Sequence, residues 1–417
     1  MSDTSVRILD GNTFVVSDAR GDIEASPTDP AGLFSYDTRF LSTWVLTVDG
    51  KRLTPLSTDD LQYFETRFFL VPGTGTVYVD AKLSVIRHRA VADGFRERLT
   101  ILNHDGKQVT LTVQIEVGSD FADLFEVKDA QQKKGKYYAR AEPQRLLLGY
   151  EREAFRRETE VFTTTPAQIS EHRLTFPVTI EPHGEWSTDL RVVPSMTRAD
   201  GKFVLPVRHA GREDSDMLAD LSEWVTNAPR VECDWAPLKD TYRRSVVDLA
   251  ALRFSPLIAG RNSLPAAGLP WFMTLFGRDS IFTSLQALPF APELAATTLR
   301  ALGEWQGSRV DDFRDEDPGR ILHEMRYGEM TAFEERPHSP YYGSVDATPL
   351  YLVLLDEYER WTGDRKLVRD LEYEARAALR WIDEYADLQG NGYIESQESF
   401  QHWFSSPVFS LRRWYQM

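Results

Sequence analysis

The hydrophobic spacing of this chain changes once along its length, and that change constrains the fold more than any other feature. From the start to about Pro194, apolar residues recur at every second position, the spacing of strands with one buried face. Trp44, Leu46 and Val48 alternate with polar neighbours and run into the turn pair Asp49-Gly50. Leu99 and Ile101 precede Asn103-His104-Asp105-Gly106, and Val109, Leu111, Val113, Ile115 and Val117 follow it, which predicts a hairpin. Leu174, Phe176, Val178 and Ile180 lead through Pro182-His183-Gly184 to Trp186, Thr188, Leu190 and Val192 in the same way. Such pairs over residues 1–195 predict an antiparallel β-sandwich. Residues 196–238 read as a linker with a short helix near Ser215–Val225. Beyond Lys239, Tyr242, Val246, Leu249 and Leu252 stand at helical spacing. Further helices are expected over Asp279–Leu288, Pro292–Gln306, Ala347–Trp361 and Arg365–Tyr385. Residues 239–417 therefore predict a domain of stacked helical hairpins.

A net charge of −16 provides no basic footprint for nucleic acid or an anionic membrane. Cys233 is the only cysteine, which rules out an internal disulfide and a cysteine zinc site. No basic stretch followed by an apolar run opens the chain, so a cytoplasmic location is expected.

Three segments of the helical half carry candidate chemistry. In Gly268-Leu-Pro-Trp271-Phe-Met-Thr-Leu-Phe276-Gly-Arg278-Asp279-Ser280, an Arg-Asp pair before a helix can orient sugar hydroxyls, the Asp accepting and the Arg donating. Asp279 as a helix cap paired with Arg278 is the structural alternative. Pro318-Gly-Arg-Ile-Leu-His323-Glu324-Met-Arg326-Tyr-Gly-Glu329 clusters polar groups as a site-lining loop does, and a solvated loop is its alternative. No second histidine follows at zinc-protease spacing, so a metal is not expected there. In Tyr341-Tyr-Gly-Ser-Val-Asp346-Ala-Thr-Pro-Leu350, a carboxyl flanked by Val345, Ala347 and Leu350 is expected to be partly desolvated, as suits a general acid. Helix capping by Asp346 is the competing reading.

In this order the three segments resemble the glucosidase domain of glycogen-debranching enzymes, which belong with the glucoamylase-like six-hairpin glycosidases. Upstream, Gly32-Leu-Phe-Ser-Tyr36-Asp37-Thr38-Arg39-Phe-Leu-Ser42 resembles a hallmark of the bacterial amino-terminal sandwich domain of that family. The resemblance runs from about residue 10 to residue 395. It implies a β-sandwich followed by an (α/α)6 toroid, incomplete here, and a glycogen or α-glucan oligosaccharide as substrate. It also implies inverting hydrolysis of an α-1,6-glucosidic bond, in which one carboxylic acid protonates the leaving oxygen and a second carboxylate activates water. By position, Asp346 corresponds to the acid and Arg278 and Asp279 to residues holding the sugar. Trp271 and Phe276 are expected beside it, and His323 and Glu324 on a neighbouring rim loop.

The family's base, a glutamate near the end of the toroid, has no match here. Ser399–Met417 has no clean period and several aromatics, which reads as a frameshifted or fragmentary end, so impaired turnover is expected. Asp387, Asn391 and Glu398 stand at the first, fifth and twelfth places of an EF-hand-like run with Gly392 sixth; a calcium loop and a Gly-rich helix end are its two readings. No other cofactor is expected. Two further hypotheses compete with the hydrolase: a catalytically inactive fragment that binds glucan or a protein partner, and a hydrolase of another α-linked glycoside.

Overall fold

The computed structural model describes residues 5–26, 29–73, 82–92, 94–129, 131–197, 203–204, 214–254, 263–387, 390 and 394. The chain divides into two compact units, one of residues 1–253 with Tyr327–Ala332, the other of residues 254–326 with 333–417.

The first unit is a large antiparallel sandwich. One run of strands pairs in the order Lys136–Glu142, Arg145–Arg152, Phe155–Thr163, Glu185–Thr197, Phe95–Asn103, Leu83–Val91, Glu65–Pro72 and Lys51–Gln62. The last of these is long enough to pass from one layer to the other. Its start pairs with Thr43–Val48 across the two-residue turn Asp49-Gly50, both with positive φ (50° and 72°), and its remainder with Glu65–Pro72. The second layer continues through Val109–Gly118, Arg173–Ile180 and Gln168–Ser170. Alternation decides which faces meet: Leu111, Val113, Ile115 and Val117 point inward with Phe176 and Val178, and Trp44 sets its ring edge-on against Phe95, 5.3 Å away. A smaller sheet of Val6–Asp10, Thr13–Ser17, Gly32–Ser35 and Thr38–Leu41 belongs to the same unit.

Neither expected longer hairpin exists. Phe95–Asn103 pairs with Leu83–Val91 and Glu185–Thr197, while Val109–Gly118 pairs with Thr43–Val48 and Arg173–Ile180. Each of the two turns is a corner at which the chain changes layers. Asn103 ties the corners together: its buried amide donates to Lys107 O (2.8 Å) and Glu181 O (3.0 Å), and its Oδ1 accepts from Asp105 N (3.0 Å). Alternation with a turn signal looks identical for a hairpin and for such a corner, because both bury every second side chain.

Among the described residues, four helices belong to this unit: α1 (Leu124–Asp129), α2 (Asp214–Asn227), α3 (Ala236–Ala251) and, from the inserted segment, a final short turn described below. Met217 and Leu221 of α2 and Ala250 of α3 close over Phe64 and Ala92. The region expected as a linker, and the helix expected to open the toroid, thus pack with the sandwich.

In the second unit, α4 (Gly277–Ala287) and α5 (Pro292–Glu304) form a helical hairpin. The inserted turn is α6 (Glu329–Ala332), and α7 (Ala347–Thr362), α8 (Arg365–Asp370) and α9 (Glu372–Glu384) complete the described helices. Leu294, Ala295, Thr298, Leu299 and Leu302 bury one face of α5, and Ala347, Tyr351, Leu354, Leu355 and Tyr358 one face of α7, the i, i+3, i+4 spacing of a core-facing stripe. The single helix expected over Arg365–Tyr385 is broken at Leu371. No helix among the described residues is long and apolar enough to cross a membrane.

Candidate active site

The three polar segments are distant in sequence and become neighbours through a short ladder. Leu275–Phe276 pairs antiparallel with Glu324–Met325, and Glu324 in turn bridges Tyr341. His323 N donates to Tyr341 O (2.7 Å), Tyr341 N to Glu324 O (3.0 Å) and Gly277 N to His323 O (2.8 Å). A Cβ on Gly277 would lie 2.1 Å from Leu322 O, so only glycine lets these backbones approach.

Helix α4 starts straight out of this ladder and α7 starts six residues after Tyr341, and the two helices pack on each other. Their first turns carry the charges. Arg278 Nη1 stands 3.4 Å from Asp346 Oδ2, and Arg278 Nε 4.0 Å from Asp279 Oδ2. The three side chains are 46%, 40% and 38% exposed for Arg278, Asp346 and Asp279. Asp346 is partly buried: Ala347 beside it is buried, while the carboxylate turns outward to Arg278 and accepts from Ser344 Oγ at 2.5 Å. Neither acid works as a cap. The start of α7 is served by Ser344, whose Oγ accepts from Ala347 N at 3.3 Å, while Asp346 makes no side-chain cap bond. Asp279 lies inside the first turn of α4, whose cap position is Phe276.

Behind these charges lies a layer that includes Glu324, expected with His323 on a rim loop, and Phe276, expected beside the sugar. Glu324 and Phe276 are buried. The Glu324 carboxylate accepts from Arg326 Nε at 2.9 Å and faces His338 Nε2 at 3.2 Å. The Phe276 ring lies between His323 (5.6 Å) and the Arg326 guanidinium (5.2 Å). Arg326 lies two residues after Glu324, just past the Glu324–Met325 strand, so the acid is satisfied internally instead of facing solvent. Burial works to raise the Glu324 pKa, but Arg326, with the two histidines, reverses this and holds it below the ordinary value. Burial also lowers His338 to about 4, against the pull of Glu324. His323 is lowered by burial first, then by Arg278, against Glu324, Asp279 and Asp346. Its buried Nδ1 has no hydrogen-bond partner among the described residues. Trp271 is half-buried, and its carbonyl accepts from Arg326 Nη2 at 2.9 Å.

The structure thus brings Arg278, Asp279 and Asp346 together at the surface, with His323 against them and Phe276 and Glu324 beneath. Sequence reasoning missed His338 and Asp315. His338 sits between Pro337 and Pro340 in no regular pattern. Asp315, which accepts the Tyr341 hydroxyl at 2.8 Å, is hidden in an acidic run that reads as solvated. Of the expected calcium loop, Asn391 and Glu398 lie outside the described residues. Among the described residues no cluster of three or more His, Cys, Asp or Glu could hold a metal.

Residues 8–191 match the family described as the N-terminal domain of some glycogen debranching enzymes. No curated protein matches the sequence. Among solved structures, the chain is similar to a protein described as a kojibiose phosphorylase from the human microbiome, with TM-score 0.57 and 10% identity, covering 89% of this chain and 56% of that one. It is also similar to a bacterial glucoamylase complexed with acarbose, with TM-score 0.50, 10% identity and the same coverage. At that identity the likeness is one of fold. The chain spans little more than half the length of either structure.

Proposed function

We propose that the chain, whose residues 8–191 match the N-terminal domain of some glycogen debranching enzymes, is a glycoside hydrolase of the amylo-α-1,6-glucosidase type. In this reading α4, α5 and α7–α9 are part of an (α/α)6 toroid, and the substrate is the α-linked glucose of a glycogen-type oligosaccharide. Asp346 donates the proton to the departing glycosidic oxygen, Arg278 and Asp279 grip the sugar hydroxyls, and water would attack from the opposite face with inversion, its proton passing to a general base carboxylate that no matched residue of this chain supplies.

The observation that carries the reading is the Arg278–Asp346 pair at 3.4 Å. Two oppositely charged, solvent-accessible groups share one edge at the starts of packed helices, and the carboxylate is spared capping duty. An exposed donor–acceptor pair of this kind can exchange its water for sugar hydroxyls. The unpartnered buried Nδ1 of His323 beside it adds a second polar atom that a ligand or water would satisfy.

The test is glucose release from isomaltose and from glycogen limit dextrin, with the product anomer followed by NMR. With the base unmatched, turnover is expected to be weak, any hydrolysis yielding β-glucose first and falling further, on the order of 10²- to 10⁴-fold, in Asp346→Asn. Retention of the anomer would overturn the inverting mechanism. Turnover that requires inorganic phosphate and yields glucose 1-phosphate would replace hydrolysis by phosphorolysis, the reaction named for the first of the two similar structures.

A further inference from the structure

The sequence motif Gly32–Ser42 has no part in the site above; its Arg39 is tied to Asp120 and Asp29 inside the sandwich, but its turn at Tyr36-Asp37 meets a different stretch of chain. Tyr36 and Asp37 both take left-handed backbone, with φ of 45° and 65°, forming the tight turn between Gly32–Ser35 and Thr38–Leu41. Asp37 Oδ2 accepts from Tyr327 N at 2.9 Å, and the Tyr36 ring stands edge-on to the Tyr327 ring, 5.6 Å away. Arg157 donates from Nη2 to Tyr327 O (3.2 Å) and from Nε to Thr38 Oγ1 (3.4 Å). Buried Asp123 accepts from Met330 N at 3.1 Å, and a Cβ on Gly328 would fall 1.9 Å from its Oδ2. Glu329 is buried too, accepting from Tyr150 Oη (2.8 Å), Arg152 Nη1 (3.1 Å) and Lys133 Nζ.

The segment so held, Tyr327–Ala332, belongs to the first unit, while Arg326 and Phe333 on either side belong to the second. Arg326 is also the residue that binds Glu324 and covers Phe276, and the clamp begins at the next residue. Burying several charges is a poor way to stabilise a sandwich, because desolvation offsets most of the attraction. Such groups are better suited to fixing one geometry.

We propose that Asp37, Asp123 and Glu329 are positioning residues, which clamp Tyr327–Ala332 and so hold the Glu324–Met325 strand, and with it Arg278 and Asp346, in register. The proposal rests on the site reading given above, but its effect on the ladder is independent of turnover.

The test is amide hydrogen exchange on the full chain, wild type beside Glu329→Ala, Glu329→Gln and Asp37→Asn, with hydrolysis of isomaltose measured in parallel. In Glu329→Ala the amides of Gly277, His323 and Tyr341 are expected to exchange at least about tenfold faster through local opening, with Val109–Gly118 unchanged. Glu329→Gln, which keeps an acceptor for Tyr150, and the milder Asp37→Asn should show smaller effects in the same amides. Where wild type turns over, kcat should fall more than KM rises. If wild type does not turn over but the exchange pattern appears, positioning stands and the proposed activity falls. Faster exchange confined to Tyr327–Ala332, or spread equally through the sandwich, would overturn the proposal.

Discussion

In the first unit, Arg87, Arg89, Glu97 and Asp22 lie inside the sandwich with almost no contact with solvent, whereas Arg278, Asp279 and Asp346 in the second stand in the open. The inner group is closed on itself. Glu97 accepts from Trp44 Nε1 (3.1 Å), Arg87 Nε (3.1 Å) and Arg89 Nε (2.9 Å), and Arg87 Nη1 reaches Asp22 Oδ1 (2.6 Å). Burial would raise Glu97, but Arg87 and Arg89 together hold it below its ordinary value. Arg89 itself is lowered to about 10, mostly by burial, and is packed between Phe68 (5.1 Å) and Phe95 (4.7 Å). Every charge there has an internal opposite, and the cluster is closed off from solvent. The outer group has one cation for two anions and open sides. Both are Arg–carboxylate constellations, and only exposure and stoichiometry separate a structural one from a candidate site.

The largest effect expected from this contrast is in the sandwich. Glu97→Gln leaves two buried guanidinium groups short of a counter-charge and should destabilise the first unit by about 3–5 kcal/mol, the range for breaking a buried pair. Urea unfolding followed by tryptophan fluorescence checks it, and a shift within error of wild type would mean that the cluster is hydrated.

A smaller effect should appear in acid, and with opposite sign in the two units. His338 has its folded pKa lowered to about 4, so it contributes stability that is full above its unfolded value near 6.5 and is lost as pH falls towards 4. Asp123 is raised to about 7, chiefly by burial, so its contribution is full below its unfolded value near 3.9 and is lost as pH rises through 7. Relative to wild type, His338→Asn should therefore flatten the acid loss between pH 6.5 and 4, and Asp123→Asn should flatten the loss towards pH 7. Thermal melts across that range read both slopes. Identical slopes in variant and parent would show that these groups are not the ones titrating.

The smallest stability effect is expected at the exposed pair. Arg278→Ala should move unfolding by no more than about 0.5 kcal/mol, as exposed ion pairs contribute little, while isomaltose hydrolysis drops at least about tenfold. A large loss of stability would class Arg278 with Arg87 and Arg89 as a structural group.

Several of these features were legible beforehand, for reasons that differ by element. Helices α5 and α7 were read nearly to their ends, because Pro292 starts one and Gly363 ends the other and each buries a regular stripe. The Asp49-Gly50 hairpin was legible because two residues of positive φ leave the chain one short way back. The corner at Asn103 was not, since the side chain that joins the corners finds its acceptors 77 and 78 residues away, at Ile180 and Glu181. The burial of Glu324 was hidden for a similar reason. His338, which faces it, lies in a segment with no periodicity, and nothing local distinguishes a rim glutamate from an internally paired one.

The sequence by itself determined where strands give way to helices, since a side-chain period is a property of consecutive residues, and it marked the three polar segments by their composition. Only the tertiary structure decided which strand lies beside which, that Gly277 and Tyr341 bracket His323 in one ladder, and that Arg278 meets Asp346 across 68 residues of chain. Pairing of that kind depends on how layers close around a shared core, and the same alternating pattern satisfies burial with any partner that presents an apolar face.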